Sequence, residues 1–306
     1  MKPLAGTLVV DLTRYLPGPF ASRELRLLGA RVVRLEAPAG DPLREIEPAW
    51  DAALNAGKES VVWDLERDPA LGRGLCSRAD VVLEGFRPGV AARLGVGPGD
   101  VPARVVYCSL TGFGDGDARV GHDLNYLGWA GALAPVAPAM PPLPIADLAA
   151  GGLTAVARVL AALLERGRTG RGSRIVVSMT HESHRLAFFA GSLTGSLASY
   201  RIYRCADGRF LTVAALEPKF WRRLCELLDR LDLVPRQDDA HAELEQEFAQ
   251  RPLAEWLSLF GEEDVAVGPV ATLPEASRMF ATTAPTDKPP RLGEHTAQWR
   301  EELGLA

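Results

Sequence analysis

The first part of the chain alternates between short apolar runs and longer segments of helical period. The run at 8–11 is apolar and β-branched, and 31–36 is predicted to be a second strand. Between them, 20–28 has a helical pattern that ends at Gly29. Short apolar runs bounded by turn residues are typical of buried strands. This order predicts two parallel strands joined by a right-handed crossover helix.

The same alternation continues and predicts an open sheet. Further strands are predicted at 60–64, 79–86, 104–110 and 174–179. Helical segments separate them, and the longest is an apolar helix at 146–166. Alternating strands and helices are typical of an α/β fold with an open, doubly wound, mostly parallel sheet of the Rossmann-like type. We therefore predict one large domain of this class at 1–198.

The pattern changes after about residue 200. A hairpin-like unit at 203–210 is followed by amphipathic helices near 218–231 and 242–260. Mixed short strands and helices predict a second, smaller α+β domain at 199–280. Residues 281–306 are rich in proline, threonine and charge, and we interpret them as a C-terminal tail. Whether this tail packs back on a large domain stays open at this point.

Composition and charge exclude several classes of partner. The net charge is −5, with 4 lysines beside 30 arginines, so no general basic field exists to hold nucleic acid. The longest apolar stretch, 153–164, is interrupted by Arg158 and is shorter than the roughly 20 residues that cross a membrane. The N-terminus is interpreted as a first strand and not as a secretory signal. We therefore expect a cytoplasmic protein without a membrane or nucleic-acid partner.

Neither the cysteines nor the first loop indicates a cofactor or a metal. The four cysteines are scattered without C-x-x-C spacing, which favours reduced, buried thiols over a zinc site or a disulfide framework. The loop at 15–19, after the first strand, lacks the G-x-G-x-x-G pattern of nicotinamide dinucleotide sites. We expect no metal and no dinucleotide, and the fold class alone does not give the function.

Three titratable residues lie next to predicted helix starts. His122 enters an apolar segment that Asp123 can cap. Asp147 heads the long helix, and the paired glycines at 151–152 indicate a close approach to its backbone. Glu217 precedes a proline that starts a helix. A structural donor, a plain N-cap and a solvated surface charge are the ordinary alternatives, and the residues alone leave them open.

Motifs around these residues resemble those of a known family. They read GHDLNY at 121–126, ADLAAGGL at 146–153, YRCADG at 203–208 and LEPKF at 216–220. In this order they resemble the α-methylacyl-CoA racemases. Segments upstream, DLTR at 11–14, GPF at 18–20, GA at 29–30, VRLE at 33–36, FRPG at 86–89 and RLG at 93–95, resemble the wider class III CoA-transferase (CaiB/BaiF) superfamily. The resemblance extends from about residue 5 to 280.

This resemblance implies an enzyme that acts on an acyl-CoA thioester and needs no cofactor beyond the CoA of its substrate. It assigns His122 and Asp147 as the two acid/base groups that flank the α-carbon, with Glu217 orienting His122. Removing a thioester α-proton needs a positioned base and stabilisation of the enolate oxygen. We assign the latter to N–H groups near Asp123 and to the hydroxyl of Tyr126.

The resemblance also points to residues for the CoA phosphates and to an assembly. Arg34 and Arg87, the latter beside Phe86, are the first candidates, because the forked guanidinium group suits phosphate. Lys58 and Arg93 are weaker candidates, since either also fits a surface charge. The assembly implied is an interlocked homodimer.

Two departures from the family pattern keep alternatives open. The racemases carry an Asn four residues before the Asp, where this chain has Leu143, and the superfamily carries an Asp where this chain has Leu27. One alternative is a class III CoA-transferase in which Asp147 is a covalent nucleophile. The other is an inactive paralogue that only binds acyl-CoA.

Overall fold

The chain folds into two compact units. A computed structural model describes residues 2–64, 67–280 and 287–305. One unit comprises Met1–Phe188 with Ala284–Ala306, and the other comprises Phe189–Thr283. The division lies before the boundary proposed at 198, and Ala198 shows why, because it is fully buried in the core of the second unit.

A six-stranded parallel sheet forms the centre of the first unit. Its strands are β1 (Leu8–Leu12), β2 (Arg31–Glu36), β3 (Glu59–Val62), β4 (Val81–Glu84), β5 (Val106–Thr111) and β6 (Arg174–Ser178). They are arranged in the order β3-β2-β1-β4-β5-β6, and every neighbouring pair is parallel. The predicted fold class is confirmed, because this is an open sheet whose strand order reverses beside β1.

Helices connect these strands. They are α1 (Pro17–Leu27), α2 (Leu43–Ile46), α3 (Pro48–Asn55), α4 (Pro69–Arg78), α5 (Val90–Arg93), α6 (Asp123–Trp129), α7 (Thr154–Thr169) and α8 (Met179–Ala187). A π-helix, Ala146–Leu153, leads directly into α7. Both faces of the sheet are covered, since Val9 packs in one buried cluster with α1 and α7, and Val10 packs in another with α4. Successive strand residues point to opposite faces, so strands buried on both faces are continuously apolar.

The second unit is smaller and has an antiparallel sheet. Its strands are β7 (Tyr200–Arg204), β8 (Phe210–Ala214) and β9 (Val267–Pro269). Its helices are α9 (Pro218–Leu227), α10 (His241–Phe248), α11 (Leu253–Phe260) and α12 (Leu273–Met279), with 3₁₀ turns at Gly191–Thr194 and Leu231–Arg236. Trp221, Phe248 and Trp256 fill its core. The predicted α+β class is confirmed for this unit.

The C-terminal segment packs on the sheet of the first unit through α13 (Thr296–Leu303). Trp299 is buried, and its indole N–H donates to Glu59 Oε2 at 2.6 Å. The guanidinium of Arg31 lies over the same indole, 4.3 Å from the ring centroid. The helix thus covers the edge strand β3, whose backbone would otherwise be open to pairing.

One helical segment, Ala146–Thr169, is long and apolar enough by length and composition to cross a membrane. A third of its most apolar window is buried inside the protein. The core helix of a water-soluble protein passes the same test, so a single segment of this kind is weak evidence for a membrane span.

Candidate active site

Asp147 lies in the first turn of the π-helix, where the backbone is wider than in an α-helix. Such segments are rare and are frequent at functional sites. A Cβ atom at Gly152 would lie 2.6 Å from the ring of Phe20, and one at Gly151 would lie 3.0 Å from the side chain of Met179. The close approach predicted from the paired glycines is therefore made by the protein's own side chains, which pack tightly against this helix.

The carboxylate of Asp123 fixes the start of this π-helix. The backbone N–H of Asp147 donates to Asp123 Oδ1 at 2.8 Å. The prediction that Asp123 caps its own segment is wrong, because Asp123 is already the first residue of α6 and His122 is the N-cap. The backbone N–H of His122 instead donates to Asn125 Oδ1 at 3.0 Å. Asp123 thereby joins the two segments that carry His122 and Asp147.

Asp147 has the electrostatics of an acid/base group. Burial, and to a lesser extent repulsion from Asp123, raise its pKa to about 7. Burial also raises the pKa of Asp123. No other described residue makes a hydrogen bond or an ion pair with the Asp147 carboxylate, and Asp147 lines a cavity through which a ligand can reach it. A carboxyl group that titrates near neutral pH can both remove and return a proton.

His122 and Tyr126 lie on the same helix start but differ in exposure. The imidazole of His122 is exposed and packs edge-to-face on the ring of Tyr15, with centroids 5.9 Å apart. Tyr126 is buried, and its hydroxyl donates to the backbone carbonyl of Gly121. Burial also raises the pKa of Tyr126 to about 12. The prediction that this hydroxyl serves an enolate does not fit, because its proton is already given to Gly121.

A cavity of about 560 Å³ brings several of the predicted residues together within the first unit. The predicted residues that line it are Phe86, Arg87, His122, Tyr126 and Asp147. Most of the lining follows the carboxyl ends of β1, β4 and β5, which is where ligands bind in open α/β sheets. Asp123 does not line the cavity, but its carboxylate holds the backbone of Asp147, which does. Arg93 is exposed on α5 outside the lining, and its role stays a prediction.

The cavity also holds three arginines that the sequence analysis missed, Arg14, Arg119 and Arg174. Arg119 pairs with Asp117, and Arg174 donates to Asp115 Oδ2 at 2.8 Å. Arg14 and Arg87 have no carboxylate partner among the described residues, so they are available to an anion. Arg14 lies two residues after the end of β1, and this position at the carboxyl end of a strand was a signal that could have found it.

Arg34 and Lys58 are not available to a phosphate in this structure. Arg34 is fully buried, with Nη1 2.9 Å from Asp51 Oδ1 and Nη2 2.9 Å from Asp41 Oδ2. Its assignment as a phosphate donor is corrected to a structural role, because both terminal nitrogens of the guanidinium donate to carboxylates inside the protein.

Lys58 is buried in the same region. Its ammonium donates to the carbonyl of Pro19 at 2.9 Å, to Ser22 Oγ at 2.6 Å and to Asn55 Oδ1 at 2.9 Å. Burial lowers its pKa to about 7, opposed by the charge of Asp11. Three partners satisfy all three donors of the ammonium, so its assignment to phosphate binding is also corrected.

Glu217 belongs to the second unit. It is the N-cap residue of α9, it is exposed, and its side chain does not cap the helix. Its role beside His122 stays a prediction. Among residues 2–64, 67–280 and 287–305, no group of three or more His, Cys, Asp or Glu side chains is arranged to hold a metal ion.

Replacing Asp147 with Asn is expected to stabilise the protein in a pH-dependent way. Because the folded-state pKa of about 7 lies above the usual value of 3.8, folding favours the protonated carboxyl, and stability is lost as the pH rises through 7. The gain from the neutral Asn should be small at pH 4 and reach about 4 kcal/mol at pH 8. Urea unfolding at the two pH values measures it. An equal gain in the free energy of unfolding at pH 4 and at pH 8 would contradict the raised pKa of Asp147.

Comparisons with known proteins place this chain in a family. The profile of CoA-transferase family III matches residues 4–285. The chain is 33% identical to the human alpha-methylacyl-CoA racemase over 366 aligned positions, which cover 99% of this chain and 94% of the relative. It is 30% identical to the acetyl-CoA:oxalate CoA-transferase of Acetobacter aceti, covering 92% of this chain and 84% of the relative.

The solved structures agree with the sequence relatives. The crystal structure of Rv3272 from Mycobacterium tuberculosis superposes with a TM-score of 0.85 at 31% identity, covering 98% of this chain and 99% of the other. The curated description of Rv3272 is "probable fatty acyl-CoA transferase". These relatives use CoA thioesters in two different reactions, an isomerisation and a group transfer. The chain belongs to CoA-transferase family III.

Proposed function

We propose that this protein is an acyl-CoA racemase or epimerase, which interconverts the stereoisomers of 2-methylacyl-CoA or a similar α-substituted acyl-CoA by moving the α-proton. The observation that carries this proposal is that His122 and the unpartnered carboxyl of Asp147 line one cavity. Inversion through a planar enolate needs one proton acceptor and one proton donor. Asp147, with a pKa of about 7, can serve either as the acceptor or as the donor.

In the proposed reaction, one of the two groups removes the α-proton and the other returns a proton to the opposite face. The thioester oxygen becomes an enolate oxygen in between. Among the described residues, the backbone N–H groups of Asp123 and Leu124, in the first turn of α6, have no backbone hydrogen-bond partner and lie at the positive end of the helix dipole. They are the donors that we assign to the enolate oxygen, in place of the Tyr126 hydroxyl.

We assign Arg87 and Arg14 to the phosphates of CoA. Both line the cavity, both are exposed, and neither has a carboxylate partner among the described residues. A guanidinium can donate two parallel hydrogen bonds to one phosphate, which fixes the ligand as well as attracting it. The CoA-utilising relatives support an acyl-CoA substrate of this kind.

The alternative reaction is CoA transfer with Asp147 as nucleophile, which the transferase relatives support. Its carboxylate would attack the thioester carbonyl, form an acyl anhydride and release the CoA thiolate. Attack and proton removal both need the ionised carboxylate, but only acid/base catalysis also uses the protonated form that a pKa of about 7 leaves at neutral pH. We therefore keep group transfer as the second candidate.

Chiral chromatography of the CoA ester distinguishes the two reactions. Starting from one enantiomer of a 2-methylacyl-CoA, with an isotope-labelled carboxylic acid also present, the proposal predicts that the other enantiomer forms and that the ester stays unlabelled. Label in the CoA ester without inversion would show a transferase. Neither change, with CoA esters still bound in calorimetry, would favour the inactive acyl-CoA-binding paralogue.

A further inference from the structure

We propose that Tyr15 is a positioning residue for His122, and that the buried pair of Arg34 and Asp41 holds Tyr15 in place. This inference rests on the proposed role of His122 as an acid/base group. It assigns a function to the loop between β1 and α1, and it gives the buried Arg34 cluster a connection to the cavity.

The backbone of Tyr15 has an unusual conformation. Its φ angle is +64°, in the left-handed region that residues with side chains seldom adopt. The backbone N–H of Tyr15 donates to Asp41 Oδ2 at 3.0 Å. Residues in this region persist where the surroundings determine their conformation, and such residues are frequent at functional sites. The hydrogen bond to Asp41 holds the Tyr15 backbone in this conformation in our proposal.

Asp41 is a rigid anchor because several buried donors hold its carboxylate. It is 3% exposed, and it accepts hydrogen bonds from Arg34 Nη2 and from the backbone N–H of Leu43, both at 2.9 Å. Arg34 is held in turn by Asp51 on α3. A charge-assisted network in a buried setting fixes the positions of its members. The position of Tyr15 therefore depends on residues that do not line the cavity.

The base of the loop is also fixed. The backbone N–H of Thr13 donates to Asp11 Oδ1 at 2.9 Å, and a Cβ atom at position 18 would lie 2.0 Å from Thr13 Oγ1. Only Gly18 leaves room for the Thr13 side chain in this arrangement. The loop is thus held at its base by Asp11 and near its tip by Asp41, which leaves little freedom for the Tyr15 backbone between them.

The ring of Tyr15 lies at the cavity and packs on His122. The two ring planes are 88° apart with centroids 5.9 Å apart, an edge-to-face arrangement favoured by the charge distribution of aromatic rings. His122 is exposed at the N-cap of α6. Contact with the ring of Tyr15 restricts rotation of the imidazole and keeps it directed at the same point of the cavity. Misplacement of a reacting group by about 1 Å can cost on the order of 10²-fold in rate.

Two substitutions at position 15 form a matched pair that tests this role. Tyr15→Phe keeps the ring, and Tyr15→Gly removes it while tolerating a φ of +64°. We expect Tyr15→Gly to lower the kcat of inversion on the order of 10²-fold at saturating substrate. Tyr15→Phe should stay close to the wild type. Nuclear magnetic resonance of ¹³C-labelled histidine should show the ring-current shift of His122 lost in the Gly variant and kept in the Phe variant.

The anchor is tested separately with Asp41→Asn, which cannot accept all the hydrogen bonds that the carboxylate accepts. In protein shown by circular dichroism to be folded, the His122 resonances should move toward those of Tyr15→Gly. Wild-type resonances in Asp41→Asn would overturn the role of Asp41. Equal kcat and equal His122 resonances in Tyr15→Phe and Tyr15→Gly would overturn the role of Tyr15. Wild-type protein without inversion would instead overturn the proposed function, and the resonances would still decide whether Tyr15 holds the imidazole.

Discussion

His122→Ala is expected to abolish inversion of the α-carbon but to leave exchange of the α-hydrogen in one enantiomer. If His122 and Asp147 act on opposite faces of the enolate, Asp147 can still exchange the hydrogen that faces it. Asp147→Asn should leave the complementary exchange by His122. General acid/base groups contribute about 10²- to 10⁴-fold, so each loss is measurable. Mass spectrometry after incubation of each enantiomer in deuterated water gives the two rates separately.

His241→Ala is the matched control for this pair. His241 begins α10 in the second unit and its ring contacts the carbonyl of Ser196, so its loss should leave both exchange rates unchanged. Equal loss of exchange for both enantiomers in both His122→Ala and Asp147→Asn, with folding and CoA binding intact, would contradict the two-face assignment. The two residues would then belong to one base or support the site structurally.

Arg34→Ala is expected to destabilise the protein by about 3 to 5 kcal/mol. The substitution leaves Asp41 and Asp51 buried without the guanidinium that neutralises them, and breaking a buried ion pair typically has this cost. Arg87→Ala removes an exposed side chain and should change the free energy of unfolding by less than about 0.5 kcal/mol. Urea unfolding monitored by circular dichroism compares the two variants directly.

CoA affinity should also distinguish the two variants, but here the larger effect is expected in Arg87→Ala. Calorimetric titration is expected to show weakened CoA binding in Arg87→Ala, because its guanidinium is unpaired at the cavity. Unchanged stability in Arg34→Ala together with weakened CoA binding would return the phosphate role to Arg34. Unchanged CoA affinity in Arg87→Ala and in Arg14→Ala would remove both arginines from the proposed phosphate site.

The strands were predictable from the sequence because the sheet is buried on both faces. Short apolar stretches such as 8–10 lie within its strands, and each predicted run in the first unit overlaps a strand of the parallel sheet. Arg34 interrupts the run at 31–36, and a charged residue inside a buried strand has to be paired. Its burial could therefore have been inferred, but its partners Asp41 and Asp51 depend on how α2 and α3 fold over the sheet.

The candidate site was predictable only in part. The motif resemblance pointed to His122 and Asp147, and both line the cavity. The hydrogen bond from Asp147 to Asp123 joins residues 24 apart, and no local pattern indicates it. The position of Tyr15 beside His122 also depends on tertiary structure. The role of Glu217, the cytoplasmic location and the interlocked homodimer stay predictions.

Incubation of one enantiomer of a 2-methylacyl-CoA in deuterated water, without any acceptor acid, tests the central claim most directly. The two enantiomers are then separated, and deuterium at the α-carbon is measured by mass spectrometry. Proton transfer through an enolate predicts that the newly formed enantiomer carries deuterium at that carbon. An ester that keeps both its configuration and its α-hydrogen after prolonged incubation, although it binds to the protein, would contradict the account.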